Sequence, residues 1–216
     1  MCGEENNTEL SVAERKKILR KKAKTVLNEY FSDKELAKAA SDSICDFFLK
    51  SELYKNASVI FGFMPMADEV NIIPILRKAL ADGKKVALPR MIPGSNGMDF
   101  YTVETFESGF TSDNVFGIKE PGAGSAVIER NSIPENAVFL VPGLAFNLSG
   151  ARLGRGKGYY DCYLSCIRDR NDIALCGVCI VPVITKGIPC EKNDIFVTHI
   201  LNEYGLVKCS EGIYHF

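Results

Sequence analysis

The chain has 216 residues, of which 46% are hydrophobic and 25% are charged, an ordinary globular composition at a length that can bury a large core. The formal net charge of −1 gives no overall attraction to nucleic acid or to an anionic membrane. No apolar run reaches the ~20 residues that cross a bilayer, so neither partner is expected, and anions would need a local cluster of cations.

The N-terminal sequence MCGEENNTEL contains no basic segment followed by an apolar stretch, so it does not resemble a secretion signal. We therefore expect a cytoplasmic protein. We predict a flexible N-terminus over residues 1–10 and a single domain over residues 11–216, since no repeat or low-complexity linker divides the chain. We expect this domain to act as a monomer.

The first two predicted helices each follow a capping box. Ser11-x-x-Glu14 and Ser32-x-x-Glu35 both precede apolar residues at helical spacing, which predicts an amphipathic helix after each motif. A third helix is predicted over residues 71–82, where Gly83 would end it, and a fourth near residues 159–168.

Short apolar runs predict strands over residues 58–64, 86–89, 99–103, 137–141 and 173–181, with further short strands near the C-terminus. Residues 91–97 and 104–136 are rich in loop-forming residues and are predicted to hold little regular structure. Strands that alternate with helices predict the α/β class, as a three-layer sandwich with a mostly parallel, Rossmann-like central sheet.

Eight cysteines are spread along the chain, and two of them, Cys176 and Cys179, form a C-x-x-C pair. The pair lies inside the apolar run 173–182, and no second such pair or spaced histidine pair accompanies it. Half of a zinc site or a redox pair is the alternative, but we predict two small buried side chains in a reducing compartment.

The most informative segment is VPGLAFNLSGARLGRGKGYYDCYL, which has the order strand, loop, helix. Its glycines alternate with three cations, Arg152, Arg155 and Lys157. Glycines let backbone N–H groups approach an anion, and ligands collect beyond the carboxyl ends of strands in open α/β sheets. The segment therefore predicts a phosphate-binding loop, without the Walker A spacing because glycine follows Lys157. A solvated basic turn would have a similar composition.

Asp161 follows this loop in the first turn of the predicted helix. One interpretation is an acid that the helix dipole stabilises. The other is a magnesium ligand, since Mg²⁺ commonly takes one or two carboxylates together with substrate phosphates. The residues alone favour neither interpretation.

The run RLGRGKGYYD, preceded by PGLAF, closely resembles the signature of 5-formyltetrahydrofolate cyclo-ligases, also called methenyltetrahydrofolate synthetases. Other segments follow in the order of that family over nearly the whole chain. They are Lys16-x-x-Leu19-Arg20, MPMADE from Met64 to Glu69, Pro89-Arg90, FGIKEP from Phe116 to Pro121, and Asp194 in KNDIF.

The resemblance implies the family's reaction. The formyl oxygen of 5-formyltetrahydrofolate would attack the γ-phosphate of ATP, and the neighbouring folate nitrogen would close the ring. The products would be 5,10-methenyltetrahydrofolate, ADP and phosphate. Such a phosphoryl transfer asks the protein mainly for positioning and charge neutralisation.

The resemblance also implies a role for each matching residue. The ATP-binding residues would be Lys16, Arg20, Arg152, Leu153, Gly154, Arg155, Gly156, Lys157, Gly158, Tyr159 and Tyr160. The folate-binding residues would be Met64, Glu69, Arg155, Gly156, Lys157, Gly158 and Tyr159. Asp161 and Asp194 would hold Mg²⁺ as the cofactor, and Arg155 and Lys157 would be the catalytic residues.

Three positions depart from the family pattern. Many relatives have an acid where Asn147 stands and another near Thr198, and close relatives can have tryptophan at Phe116. The first two departures affect residues that would support the loop or the metal geometry. The third affects a side chain that would stack on folate.

Two other functions would use the same loop. One is a different ATP-dependent ligase or kinase acting on another small anionic or heteroaromatic substrate. The other is a non-catalytic protein that binds nucleotides or RNA. The chain has no basic face and no clustered aromatic platform, which disfavours RNA, and a simple binder would not need two acids for a metal.

Overall fold

A computed structural model describes residues 10–95, 97–114 and 117–210. Within these ranges the α-helices are Val12–Ser32 (α1), Lys34–Lys50 (α2), Glu52–Asn56 (α3), Ile73–Ala81 (α4) and Tyr159–Leu164 (α5), with 3-10 turns at Arg130–Ser132, Ser165–Ile167 and Val181–Val183. The strands are Val59–Phe61 (β1), Lys85–Met91 (β2), Met98–Val103 (β3), Phe110–Thr111 (β4), Glu120–Pro121 (β5), Val127–Ile128 (β6), Val138–Pro142 (β7), Ala145–Phe146 (β8), Arg152–Leu153 (β9), Ala174–Val178 (β10), His199–Asn202 (β11) and Gly205–Lys208 (β12). The predicted flexible N-terminus lies outside these ranges except for its last residue, and the domain division stays a prediction.

Eight of the strands form one sheet in the order β12-β11-β10-β7-β1-β2-β3-β6. The five strands from β11 to β2 are parallel, and β12, β3 and β6 continue the sheet in antiparallel fashion at its edges. The predicted α/β class with a mostly parallel central sheet is confirmed. Two small hairpins, β4 with β5 and β8 with β9, lie outside this sheet.

Helices cover both faces of the sheet. Phe61 of β1 stacks on Phe139 of β7 with 4.0 Å between the ring centroids, and Tyr163 of α5 packs 6.2 Å from Phe139. Gly62 follows Phe61 and faces the other way, since side chains alternate along a strand. A Cβ atom at Gly62 would stand 2.7 Å from Leu76 of α4. α4 and α5 therefore lie on opposite faces, which is the predicted three-layer arrangement. None of the described helices is both long enough and apolar enough to span a membrane.

The first two helices differ in how they are capped. The capping box predicted for α1 is confirmed, because Ser11 and Glu14 each accept the backbone N–H of the other. The prediction for α2 is wrong at its cap. Asp33 caps this helix by accepting two N–H groups of its first turn, whereas Ser32 is the last residue of α1. Aspartate and serine are comparable N-caps, so neighbouring candidates compete for this position.

The other predicted elements are present with shifted ends. The strand predicted over residues 58–64 spans Val59–Phe61, and the one predicted over 173–181 spans Ala174–Val178 before a 3-10 turn. The segment 104–136 contains the two-residue strands β4, β5 and β6, and β6 extends the main sheet. Such short strands carry no periodic signal of their own, which explains why they were not predicted.

Cys176 and Cys179 are both buried, and burial raises the pKa of each thiol well above its ordinary value. Across the described part of the chain, no group of three or more histidine, cysteine or acidic side chains is placed to hold a metal ion. The burial of both side chains agrees with the structural role predicted for this C-x-x-C pair.

The chain changes its direction through the sheet between β1 and β7. β2 pairs with β1 on one side, and β10 pairs with β7 on the other. Ligands in open α/β sheets bind beyond the carboxyl ends of the strands at such a switch point. A cleft opens there, and its lining includes Phe63 after β1, the acids Asp68 and Glu69, and Gly143 after β7.

Candidate active site

The predicted phosphate-binding loop follows a hairpin that is packed firmly on the sheet. Phe146 of β8 is fully buried, and a Cβ atom at Gly143 or Gly177 would stand 2.6 Å or 2.4 Å from its ring. The side-chain oxygen of Asn147 accepts the Ala151 N–H at 2.8 Å within the hairpin turn. The asparagine therefore supports the turn through its own side chain.

Two loop glycines have backbone conformations that other residues rarely adopt. Gly156 has a φ angle of +100°, and Gly158, which precedes α5, has a φ angle of +74°. Lys157 stands between them, is exposed, and has no hydrogen-bond or ion-pair partner among the residues that the structure describes. Its ammonium group is therefore available to an anion.

The helix α1 lies against this loop. Arg20 Nε donates to the Gly154 carbonyl at 3.0 Å, and a Cβ atom at Gly156 would stand 3.4 Å from the Arg20 guanidinium. One turn earlier in the helix, Lys16 is buried. The two cations predicted from the N-terminal motif thus lie on the side of α1 that faces the protein.

Lys16 is paired with two acids of the segment before β11. Its ammonium group donates to Asp194 Oδ2 at 2.6 Å and to Glu191 Oε2 at 2.9 Å. Burial lowers the pKa of Lys16, but the hydrogen bonds to these carboxylates outweigh it and leave the pKa above its ordinary value. A residue predicted to bind ATP is therefore joined to one predicted to bind Mg²⁺.

A second pair joins Arg152 of β9 to Asp161 of α5. Arg152 Nη2 donates to Asp161 Oδ1 at 2.8 Å, and the Arg152 side chain is only 4% exposed. The same carboxylate oxygen accepts the Ile195 N–H at 3.2 Å, which places Asp161 beside the segment that carries Asp194. The structure therefore brings the two predicted metal ligands to one region. Arg152 Nε is buried and has no partner within the described ranges.

A third pair crosses the cleft from the loop to the turn after β1. Arg155 Nη2 donates to Asp68 Oδ1 at 2.6 Å and to Glu69 Oε1 at 3.0 Å. Burial raises the pKa of Glu69, and although the Met66 N–H and Arg155 both lower it, it stays above its ordinary value. Glu69 is thus a desolvated acceptor whose charge the protein only partly compensates.

A family model described as the 5-formyltetrahydrofolate cyclo-ligase family matches residues 12–203. The chain belongs to this cyclo-ligase family. The 5-formyltetrahydrofolate cyclo-ligase of Mus musculus is 31% identical over 153 residues, which are 69% of this chain and 75% of that protein. The probable 5-formyltetrahydrofolate cyclo-ligase of Schizosaccharomyces pombe is 32% identical over 165 residues, or 71% and 79% of the two chains. The resemblance noted in the sequence is confirmed.

The solved structures that are similar to this cyclo-ligase include two methenyltetrahydrofolate synthetases. The NMR structure of Aquifex aeolicus 5,10-methenyltetrahydrofolate synthetase matches with a TM-score of 0.72 at 25% identity, covering 93% of this chain and 96% of the other. The 5,10-methenyltetrahydrofolate synthetase of Mycoplasma pneumoniae matches with a TM-score of 0.65 at 21% identity, covering 87% and 98%. The second match shows a shared fold alone.

The other predicted site residues of the cyclo-ligase differ in accessibility. Met64 and Tyr159 are partly buried and pack against the core, which leaves each some surface for a ligand. The Leu153 side chain is buried in the core, so its predicted contact with ATP would have to use its backbone. The Tyr160 hydroxyl is buried and has no partner within the part of the chain that the structure describes.

Two further family segments meet each other away from the loop. Arg90 donates to the carbonyls of Pro121 and Gly122, and its guanidinium lies 3.6 Å from the ring centroid of Tyr101. Glu120 is buried and accepts the backbone N–H that follows Arg90 in β2. These contacts give the two motifs a structural role. Phe116 lies outside the described residues.

Sequence reasoning did not assign two acids that the structure places at the site, Asp68 and Glu191. Asp68 holds Arg155, and Glu191 holds Lys16. Each stands within three residues of an acid that was predicted, Glu69 or Asp194. Their closeness in sequence to a predicted acid was the one signal that could have identified them. Only the fold shows which of the neighbouring acids reach a cation. The Thr198 hydroxyl binds both the N–H and the carbonyl of Leu175.

Replacing Glu69 with glutamine is expected to change how stability depends on pH. As the pH rises, the free energy of unfolding of E69Q should increase relative to that of wild type at the same pH. The pKa of Glu69 in the fold lies above its ordinary value of 4.5, so ionisation costs more in the folded than in the unfolded chain. Wild-type stability should therefore fall as the pH rises from 4.5 through the folded pKa, whereas E69Q cannot ionise there. Urea unfolding at several pH values measures the difference. An E69Q variant that loses stability relative to wild type between pH 4 and 7 would mean that the Arg155 pair outweighs burial.

Proposed function

We propose that this cyclo-ligase converts 5-formyltetrahydrofolate to 5,10-methenyltetrahydrofolate and consumes ATP, releasing ADP and phosphate. The observation that carries the proposal is the meeting of three cation–acid pairs around one loop, Lys16–Asp194, Arg152–Asp161 and Arg155–Glu69. Each pair joins a residue expected to bind ATP to a residue expected to bind Mg²⁺ or folate. The two substrates would therefore be held next to each other.

The phosphates of ATP would lie along the loop between Gly154 and Gly158. Lys157 has no competing partner in the described ranges, and Arg20 fixes the loop backbone at the Gly154 carbonyl. The positive φ angles at Gly156 and Gly158 support a loop whose backbone N–H groups approach an anion closely. Together these donors would neutralise the γ-phosphate as it is transferred.

Mg²⁺ would be held by Asp161 and Asp194. Carboxylate oxygens are the hard donors that Mg²⁺ prefers, and two carboxylates leave positions for phosphates and water, so the donor set fits this ion. Bound there, Mg²⁺ would supply charge neutralisation at the phosphates. Lys16 donates to both carboxylate oxygens of Asp194, and it would exchange one of these contacts for a phosphate oxygen.

Glu69 would hold the folate. A carboxylate only accepts hydrogen bonds, which suits the N–H-rich edge of a reduced pterin. Because the Glu69 side chain is 10% exposed and desolvated, new N–H donors would stabilise its charge. Met64 and Tyr159 would contact the ring system through the surface that their packing leaves uncovered.

Arg155 would serve both steps of the reaction. In the first step the formyl oxygen would attack the γ-phosphorus while ADP leaves. In the second step the neighbouring folate N–H nitrogen would add to the activated carbon, the C–O bond would break with release of phosphate, and the nitrogen would give up its proton to the phosphate or to water. Arg155 lies on the loop and reaches Glu69, so its guanidinium would stand beside the phosphoryl group in each step. Donors that are already oriented lower the barrier because little reorganisation is needed.

The proposed function is tested by following the absorbance of methenyltetrahydrofolate. We expect purified protein to form this product from 5-formyltetrahydrofolate only when ATP and Mg²⁺ are both present, with ADP released in equal amount. Omitting ATP is the control for a spontaneous acid-catalysed cyclisation. Product formation that continues at the full rate without ATP would refute the ATP dependence, and no product under any condition would refute the reaction.

A further inference from the structure

Two neighbouring acids hold Arg155, although a simple ion pair needs only one. Arg155 Nη2 donates to Asp68 Oδ1 at 2.6 Å and to Glu69 Oε1 at 3.0 Å, and Nε donates to Glu69 Oε1 at 3.2 Å. The side chains of the two acids are 17% and 10% exposed. The shortest contact goes to Asp68, an acid to which the proposed function gives no ligand.

The arrangement leaves one part of the guanidinium available. Arginine has five N–H donors, of which one lies on Nε and two lie on each Nη atom. Nε and Nη2 are engaged with the acids, whereas Nη1 donates to no acceptor in the described part of the chain. Arg155 can therefore bind a phosphate oxygen through Nη1 while Nη2 stays attached to the acids.

Glu69 has little hydrogen-bonding capacity left for a pterin while Arg155 is bound to it. Its Oε1 accepts both of its bonds from Arg155, and its Oε2 accepts the Met66 N–H at 3.0 Å. A carboxylate has about four lone-pair sites, so one of them stays open, and a second N–H donor from a pterin would compete with Arg155 and weaken the Arg155–Glu69 contact. The Asp68–Arg155 contact uses a different carboxylate and would persist.

We propose that Asp68 is a positioning residue that holds the Arg155 guanidinium in the cleft while Glu69 binds folate. Asp68 keeps Nη1 directed at the phosphoryl group through both steps. This inference rests on the proposed function, because it assumes that Glu69 binds folate and that Arg155 binds phosphate. Asp68 itself touches neither substrate.

The test compares the kinetics of Asp68→Ala and Asp68→Asn with those of Asp99→Ala. Asp99 is a matched control outside the cleft, since it is 26% exposed and pairs with Arg130 at 3.0 Å. Losing a charge-assisted hydrogen bond to the catalytic guanidinium is expected to lower the kcat of Asp68→Ala about ten- to a hundredfold. The KM values for both substrates should stay within about threefold, since no ground-state contact is lost. Asp68→Asn keeps an acceptor oxygen and should recover part of the lost kcat.

A double-mutant cycle provides a readout that does not depend on turnover. The unfolding constants of Asp68→Ala, Arg155→Ala and the double variant should show a coupling of about fivefold or more. If wild type makes no product, the proposed function fails, and the cycle alone decides whether Asp68 holds Arg155. The positioning role is overturned by a kcat of Asp68→Ala equal to that of Asp99→Ala, by a rise in KM at constant kcat, or by no coupling in the cycle.

Discussion

Replacing Lys157 with alanine is expected to lower kcat about 10²- to 10³-fold, the usual cost of removing one oriented donor from developing charge. Lys157 is exposed between two glycines and has no protein partner in the described ranges. Its removal therefore leaves no acid unpaired and no cavity behind. The free energy of unfolding should stay within about 0.5 kcal/mol of the wild-type value, as for other surface changes.

Lys50→Ala is the matched control, since Lys50 is exposed near the end of α2 and lies outside the loop and cleft residues described above. Its kcat and its stability should both stay close to wild type. Steady-state kinetics and urea unfolding measure the two quantities for each variant. If Lys157→Ala keeps more than a third of the wild-type kcat, the loop is only a solvated basic turn, as the composition alone would allow.

Replacing Asp161 with asparagine is expected to have two effects. The Arg152 side chain is 4% exposed, so neutralising its partner leaves a buried guanidinium uncompensated. Breaking such a pair from one side costs about 3 kcal/mol of the free energy of unfolding. If Asp161 also holds Mg²⁺, the Mg²⁺ concentration for half-maximal activity should rise about tenfold or more.

Asp172→Asn separates the effect of burial from that of an ion pair as such. Asp172 pairs with Arg170, but both side chains are about one third exposed, 36% and 35%. This control should be destabilised far less than Asp161→Asn, because solvent screens an exposed pair, and it should keep its Mg²⁺ dependence. Thermal unfolding without metal measures the first effect of Asp161→Asn, and activity titrated with Mg²⁺ measures the second. If Asp161→Asn is destabilised but its Mg²⁺ dependence is normal, Asp161 pairs with Arg152 and does not bind Mg²⁺.

The sequence predicted the elements whose signals are local. The capping box at Ser11 and Glu14, the α/β alternation and the loop glycines all depend on residues a few positions apart. The cap of α2 was misplaced because Ser32 and Asp33 are adjacent and chemically similar candidates. The strands β4 to β6 were missed because two residues cannot display a period.

The partners of the site residues could not be predicted in the same way. Arg155 and Glu69 are 86 positions apart in the sequence, and only the switch between β1 and β7 brings their loops to one cleft. The family resemblance implied which residues bind each ligand, but it did not indicate that these residues pair with one another. Asp68 and Glu191 were overlooked for this reason.

The pair formed by Lys16 and Asp194 has a consequence for synthesis of the protein in the cell. The two residues are 178 positions apart, so Lys16 leaves the ribosome long before its partner is made. At about 5–20 residues per second, the nascent chain carries an unpaired Lys16 for roughly 9 to 36 seconds. During that interval α1 lacks one of the contacts that hold it, and the proposed nucleotide site is incomplete. A ribosome stalled before residue 194 would therefore hold a chain that has the loop but lacks one of the contacts that fix its first helix.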